Sequence, residues 1–295
     1  MSAPQPSSSP RVRALAAALR LAREEANVGQ RDLTRRLGLT HPQLSYIERG
    51  IRTASVELVA AILQELHVVG AAKDRILELA KNATELNWLD SGAPGMSEGL
   101  AYLLDCETTA SSITEWTYGA VPGLLQISDY ARVILERINR VQNAGRPATS
   151  NKVQSQLMMR MGRRDILTRP NPTHFTALID EQAIREVVGS PEIQINQLAH
   201  VLDMAKRPNV EVLVVQSGHG WHPGKVGPFV IYDFADVPST VLHENFSSSA
   251  LVYEPRDVEA IQSAARDVRG LAMSSADSVE LIAGVINELT EKTTT

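Results

Sequence analysis

The stretch Gln30–Gly50, QRDLTRRLGLTHPQLSYIERG, decides how the amino-terminal part of this chain is read. Leu33 and Leu37 lie one helical turn apart. Gly38 follows as a stop, because glycine adopts at no steric cost the left-handed conformation that ends many helices. Thr40 offers its hydroxyl to the backbone N–H groups of a new first turn, where Pro42 is harmless because early helical N–H groups lack intrahelical partners. Leu44 and Ile47 are expected to face inward, with Gly50 as the stop. The stretch predicts two short helices joined by Gly38-Leu39-Thr40.

The same logic extends outward. Val12, Leu15, Leu19 and Ala22/Ala26 repeat at helical spacing over 11–26, and Asn27 tolerates the left-handed conformation that closes the helix. Ser55 caps a fourth pattern carrying Val56, Val59, Leu63 and Leu66, and 71–82 gives a fifth. A five-helix domain is expected over 11–82, after a disordered Pro/Ser tail at 1–10 and before a linker at 83–97 that holds Gly92, Pro94 and Gly95. Beyond it, helical patterns at 97–110, 128–140, 150–168, 181–188, 191–206, 255–272 and 275–290 alternate with strand-like runs at 112–118, 174–179, 210–216, 228–234, 239–244 and 249–253. The last four runs are closely spaced, as in an antiparallel meander. The expected class is α+β: an all-α amino-terminal domain, then a mixed α/β domain over 98–295 with a mainly antiparallel sheet.

Composition narrows the setting. The 295 residues are 43% hydrophobic and 21% charged, with no apolar run near the roughly 20 residues of a membrane span. Residues 1–10 have neither the basic nor the apolar region of a secretory signal, which leads to an expected cytoplasmic location. Cys106 is the single cysteine, so neither an internal disulfide nor a thiolate metal site is expected. Net charge is −5, but residues 11–55 hold nine arginines against four acids, a local +5 that leaves −10 elsewhere. That asymmetry fits a nucleic-acid-binding module joined to an acidic domain.

Two short helices about a glycine turn form a helix-turn-helix, whose second helix enters the DNA major groove. Residues 28–66 closely resemble the XRE family, the lambda-repressor-like fold, including its Ser-x-Ile-Glu-x-Gly signature at Ser45, Ile47, Glu48 and Gly50. The resemblance implies that His41, Pro42, Gln43 and Tyr46 face bases and that Gln30 holds a phosphate. It implies that Arg23 and Glu48 form a structural pair. His41 and Pro42 stand where well-known members carry Gln, which shifts readout toward Gln43, Tyr46 and apolar contact with thymine methyls. Arg31, Arg35, Arg36, Arg49 and Arg52 are candidates for sequence-blind phosphate contacts, with solvated charge as the alternative for each. One recognition helix covers few base pairs, so a homodimer on a double-stranded inverted-repeat operator is expected, held by the carboxy-terminal domain.

That second domain offers several features. VPGLLQISDYARVILE (121–136) is a turn followed by a helix with Ser128 as cap, with Leu125 and Tyr130 buried. GHGWHPGKVGPF (218–229) joins two strands, and either lines a pocket with Trp221 and His222 or packs Trp221 on the core. His219, His222 and His243 suggest zinc, but the loop is not helical and holds no acid, so no metal is assigned. Arg160, Arg163, Arg164 and Arg169 are expected to form a basic cluster around Met158, Met159 and Met161 on one helix, either a solvated face or a partner surface; Arg160 and Arg164 are the candidates for it. Asp180, Glu181, Glu244 and Glu254 are carboxylates near strand ends, and an enzyme would need two of them, or His222, in one pocket. With no nucleophile elbow, P-loop or dinucleotide fingerprint, neither enzyme nor cofactor is assigned.

LLDCETTASSITEW, VPGLLQISDYAR, RRDIL, LIDEQAI, the GWHPG-x-x-GPF loop and the run from Leu251 to Ile282 together look like the domain of unknown function attached to XRE regulators of actinomycetes, the Scr-type, toxin-antitoxin-like regulators. The resemblance implies a small partner protein encoded nearby. The reading is a sequence-specific transcriptional regulator modulated by that partner or a ligand; the alternative is an antitoxin-like module that sequesters the partner and autoregulates its operon.

Overall fold

The computed structural model describes residues 10–81, 83, 88–90, 98–235, 238–244 and 249–294. From the amino end, the elements are α1 (Pro10–Glu25), α2 (Gln30–Leu37), α3 (His41–Glu48), α4 (Val56–Glu65), α5 (Ala71–Lys81), β1 (Trp88–Asp90) and α6 (Glu98–Thr109). Then follow β2 (Ser112–Thr117), α7 (Ser128–Gln142), α8 (Ser150–Gly162), β3 (His174–Asp180), α9 (Glu181–Arg185), α10 (Pro191–Ala205) and β4 (Val210–Val215). The chain closes with β5 (Phe229–Asp233), β6 (Thr240–Glu244), β7 (Ser249–Val252), α11 (Pro255–Leu271) and α12 (Ser275–Thr294). The class is α+β: an amino-terminal helical region, then a mixed sheet with helices.

Two compact units divide the residues: 1–109 with 233–242 and 248–258, and 110–232 with 243–247 and 259–295. In the first, the apolar faces of the helices supply the core: Leu15, Leu19, Leu33, Leu44, Val59, Ile62 and Leu63 are each at most 1% exposed. β1 pairs antiparallel with β7, and β6 follows β7. Trp88–Asp90 falls in a stretch read as linker, where a three-residue strand carries too little pattern to stand out. The rest of that linker, save Ala83, lies outside the described residues, as does the expected tail apart from Pro10, which opens α1.

In the second unit the strand order is β5-β2-β3-β4, and β3 runs parallel to both β2 and β4. Helices separate these strands in sequence, and such crossovers return the chain in the same direction. β3 and β4 are buried along most of their length, Ala177 to Ile179 and Val212 to Val215 all lying at or below 5% exposed. This explains their continuous apolar runs. Ser278 on α12 accepts the Val214 N–H through Oγ at 2.9 Å. Leu125 and Tyr130 are fully buried, as expected. Two local expectations need correction. Ser128 is the first residue of α7 rather than its cap, and the preceding Ile127 N–H donates to Gln197 Oε1 at 2.8 Å. The arginine cluster does not share one helix, because α8 stops at Gly162, Arg163 and Arg164 lie in a 3-10 turn, and Arg169 follows it.

Candidate nucleic-acid interface

The geometry of α2 and α3 follows from their caps. Gly38 takes φ +65° and donates its N–H to Thr34 O, so α2 stops where a side chain at that position would be strained. Thr40 is extended and begins a capping box: its Oγ1 accepts from the Gln43 N–H at 3.4 Å, while Gln43 Oε1 accepts from the Thr40 N–H at 2.8 Å and from the Thr40 hydroxyl at 2.9 Å. Leu44 and Ile47 are buried, and so is Leu33 on α2. His41, Pro42 and Tyr46 are left exposed on the other side of α3, and Gln43 is partly so.

Beneath that face lies a polar network. Glu48, only 3% exposed, accepts from Arg23 Nε at 2.7 Å, from Arg23 Nη2 at 3.0 Å and from Gln30 Nε2 at 2.6 Å. Arg23 also donates to Val28 O at 3.1 Å, which ties α1, the start of α2 and the end of α3 together. The hydrogen bond and charge of Glu48 push the Arg23 pKa up against the effect of burial. Gln30, expected at a phosphate, commits one amide proton to Glu48.

The arginines expected at phosphates occupy three settings. Arg35 and Arg36 both donate to Asp32, one turn back on α2, and hold its carboxyl below the usual carboxylate range, Arg35 first. Arg31 is exposed on the same helix, while Arg49 and Arg52 are exposed just beyond α3.

Among the second-unit candidates, Asp180 and His222 share Lys225 as a charged neighbour, while Arg160 and Arg164 have partners of their own. Trp221 is 77% exposed, so it does not pack on the core; Gly218 and Gly220, just before it, both take positive φ. His222 is buried edge-on to Trp116, with ring centres 5.7 Å apart, and its Nδ1 has no hydrogen-bond partner among the described residues. Burial first, then Lys225, lowers its pKa. Trp116 fills the place expected for Trp221: its Nε1 donates to Gly224 O at 2.8 Å, and a Cβ on Gly224 would stand 2.8 Å from the ring. Asp180 caps α9 and is paired with Lys225 at 2.9 Å, whereas Glu181 takes the Ser217 N–H and Arg185. Arg160 donates to Gln126 at 2.9 Å, and Arg164 lies 2.8 Å from His200 Nε2, where burial lowers both their pKa values. The residues that sequence reading missed are Trp116, Gln126, Lys225 and His200, partners that only folding brings to those sites. No group of three His, Cys, Asp or Glu side chains among the described residues is placed to hold a metal ion. No helix there is long and apolar enough to cross a membrane.

Comparison with known proteins matches residues 14–76 to a helix-turn-helix domain and residues 100–284 to a domain of unknown function, DUF5753. No curated protein matches. Among solved structures, the archaeal chromatin protein TrmBL2, described with a novel mode of DNA binding, overlays with a TM-score of 0.30 at 11% identity over 84% of this chain and 88% of its own. That overlap is too loose to carry an argument.

Proposed function

The chain belongs to the DUF5753 family and carries a helix-turn-helix domain ahead of it, and from that premise we propose that it is a sequence-specific DNA-binding transcriptional regulator acting as a homodimer on an inverted-repeat operator. The observation that carries this reading is the row of His41, Pro42 and Tyr46, exposed, with Gln43 partly exposed among them, on a helix whose opposite face is locked by Leu44, Ile47 and the Arg23–Glu48 pair. Such a helix presents side chains to base edges without giving up its packing. Arg31, Arg35, Arg36, Arg49 and Arg52 supply the phosphate contacts, and Gln30 adds its remaining amide proton. The reading domain spans 11–82; residues 98–295 dimerise and receive a signal from a small partner protein or ligand, at the Arg160/Arg164 group or the Trp221/His222 loop. The chain acts in the cytoplasm and is not an enzyme. This is the organisation of the XRE-type regulators with Scr-type domains that its motifs resemble.

A signal received by residues 98–295 acts by changing the spacing of the two recognition helices, and so operator affinity. The test is a salt-controlled binding titration on a duplex recovered by random-site selection. Gln43→Ala combined with Tyr46→Ala is expected to erase the preference for that duplex over a scrambled one while keeping the fold. Unchanged affinity and preference would refute the assigned reading face.

A further inference from the structure

On the DNA-binding reading just proposed, we infer that Gln43 is a guanine reader, selecting against the adenine that a glutamine amide ordinarily pairs with. A glutamine side chain has one carbonyl oxygen with two lone pairs and one NH2 with two donors. Both lone pairs of Gln43 Oε1 are in use, one on the Thr40 N–H at 2.8 Å and one on the Thr40 hydroxyl at 2.9 Å. The orientation follows from chemistry: a backbone N–H only donates, so the atom facing it is the oxygen. Nε2 has no partner among the described residues and remains as a pair of donors on a partly exposed side chain in the first turn of α3.

A donor-only group reads the major groove differently from a free amide. Bidentate pairing of Gln with adenine needs a donor toward N7 and an acceptor toward the N6 amino group. Gln43 has no acceptor left, and its NH2 meets the adenine or cytosine amino group donor to donor. Guanine presents two acceptors, N7 and O6, against a single one on adenine (N7, beside the repelling amino group) and on thymine (O4), so guanine is favoured first. Breaking the cap to free the oxygen would forfeit the hydrogen bonds that start the helix.

The experiment is random-site selection with the full chain and with Gln43→Glu. Glutamate keeps Oε1 for both Thr40 donors and suits a helix N-terminus, but it turns the two outward donors into an acceptor, which pairs with the cytosine amino group. The wild-type chain is expected to select a guanine at one position of each half-site, and Q43E to shift that position to cytosine by about tenfold in relative affinity, with the other positions unchanged. Replacing that guanine by 7-deazaguanine, which lacks the N7 acceptor, is expected to weaken wild-type binding. If Q43E does not fold, Gln43→Ala keeps the Thr40 hydroxyl on the backbone N–H of residue 43 and is expected to relax the same guanine to any base. A selection in which the wild-type chain enriches no sequence overturns the DNA-binding reading itself. Enrichment with an adenine at the Gln43-dependent position, or a pattern untouched by both substitutions, overturns the guanine assignment alone.

Discussion

Glu48 holds three donors on two oxygens in a nearly dry setting, and that makes it the most consequential single side chain of the amino-terminal unit. Removing one partner of such a pair leaves the other charge uncompensated. Glu48→Ala is therefore expected to destabilise the unit by about 3 kcal/mol or more, seen as a lower denaturant midpoint with unchanged slope. A variant as stable as the parent would deny the pair its structural role. Asp32 acts in the opposite sense, since it occupies both Arg35 and Arg36 in the free chain. Asp32→Asn is expected to raise DNA affinity and to steepen the dependence of log affinity on log salt by about one unit, as released guanidinium groups meet phosphates. A flat response would place these arginines away from the backbone of the duplex. The Arg23–Glu48 pairing was legible only through resemblance, because 25 residues of sequence separate the partners. The Gln30 and Asp32 contacts were not legible at all, since spacing alone does not say whether a polar side chain turns toward its own helix or toward a ligand.

Among the elements, α1 to α4 were readable because each carries its own punctuation. Asn27 and Gly38 do sit at positive φ, and Thr40 and Ser55 do cap the helices that follow them. The Gly38 site has open space for a methyl group, so conformation alone opposes a side chain there. Gly38→Ala is expected to cost about 1 kcal/mol in thermal unfolding without disturbing packing. The loop from Gln216 to Pro228 was harder to read. The tryptophans that compete for the core position beside it, Trp116 and Trp221, both have glycines close by, and only the close approach of Gly224 to the Trp116 ring decides between them. Gly224→Ala is expected to displace the ring at about 1–3 kcal/mol, lowering the melting temperature by several degrees and shifting tryptophan emission. The parallel β2-β3-β4 pairing was equally hidden, since it is fixed by long helical crossovers and not by any local pattern.

For the whole molecule, two imidazoles link stability to pH. His200 and His222 both sit below the ordinary histidine value of 6.5, chiefly through burial, so the folded chain binds fewer protons than the unfolded chain just below that pH. Their contribution is fully present above about pH 6.5 and is lost as the pH falls toward their lowered values. The second unit is expected to melt at lower temperature at about pH 5 than at about pH 7, and His200→Gln with His222→Gln to flatten that slope. An unaltered slope would assign the acid response to other groups. The expected division into 11–82 and 98–295 rests on a reversal of charge about the helix-turn-helix, a property no single element shows. Whether the exposed face of α3 reads base sequence is decided by competition between a selected duplex and its scrambled counterpart for the full chain at physiological salt. The full chain is expected to prefer the selected duplex by at least about a thousandfold; equal affinity for the two, falling together as salt rises, would refute base reading by this helix.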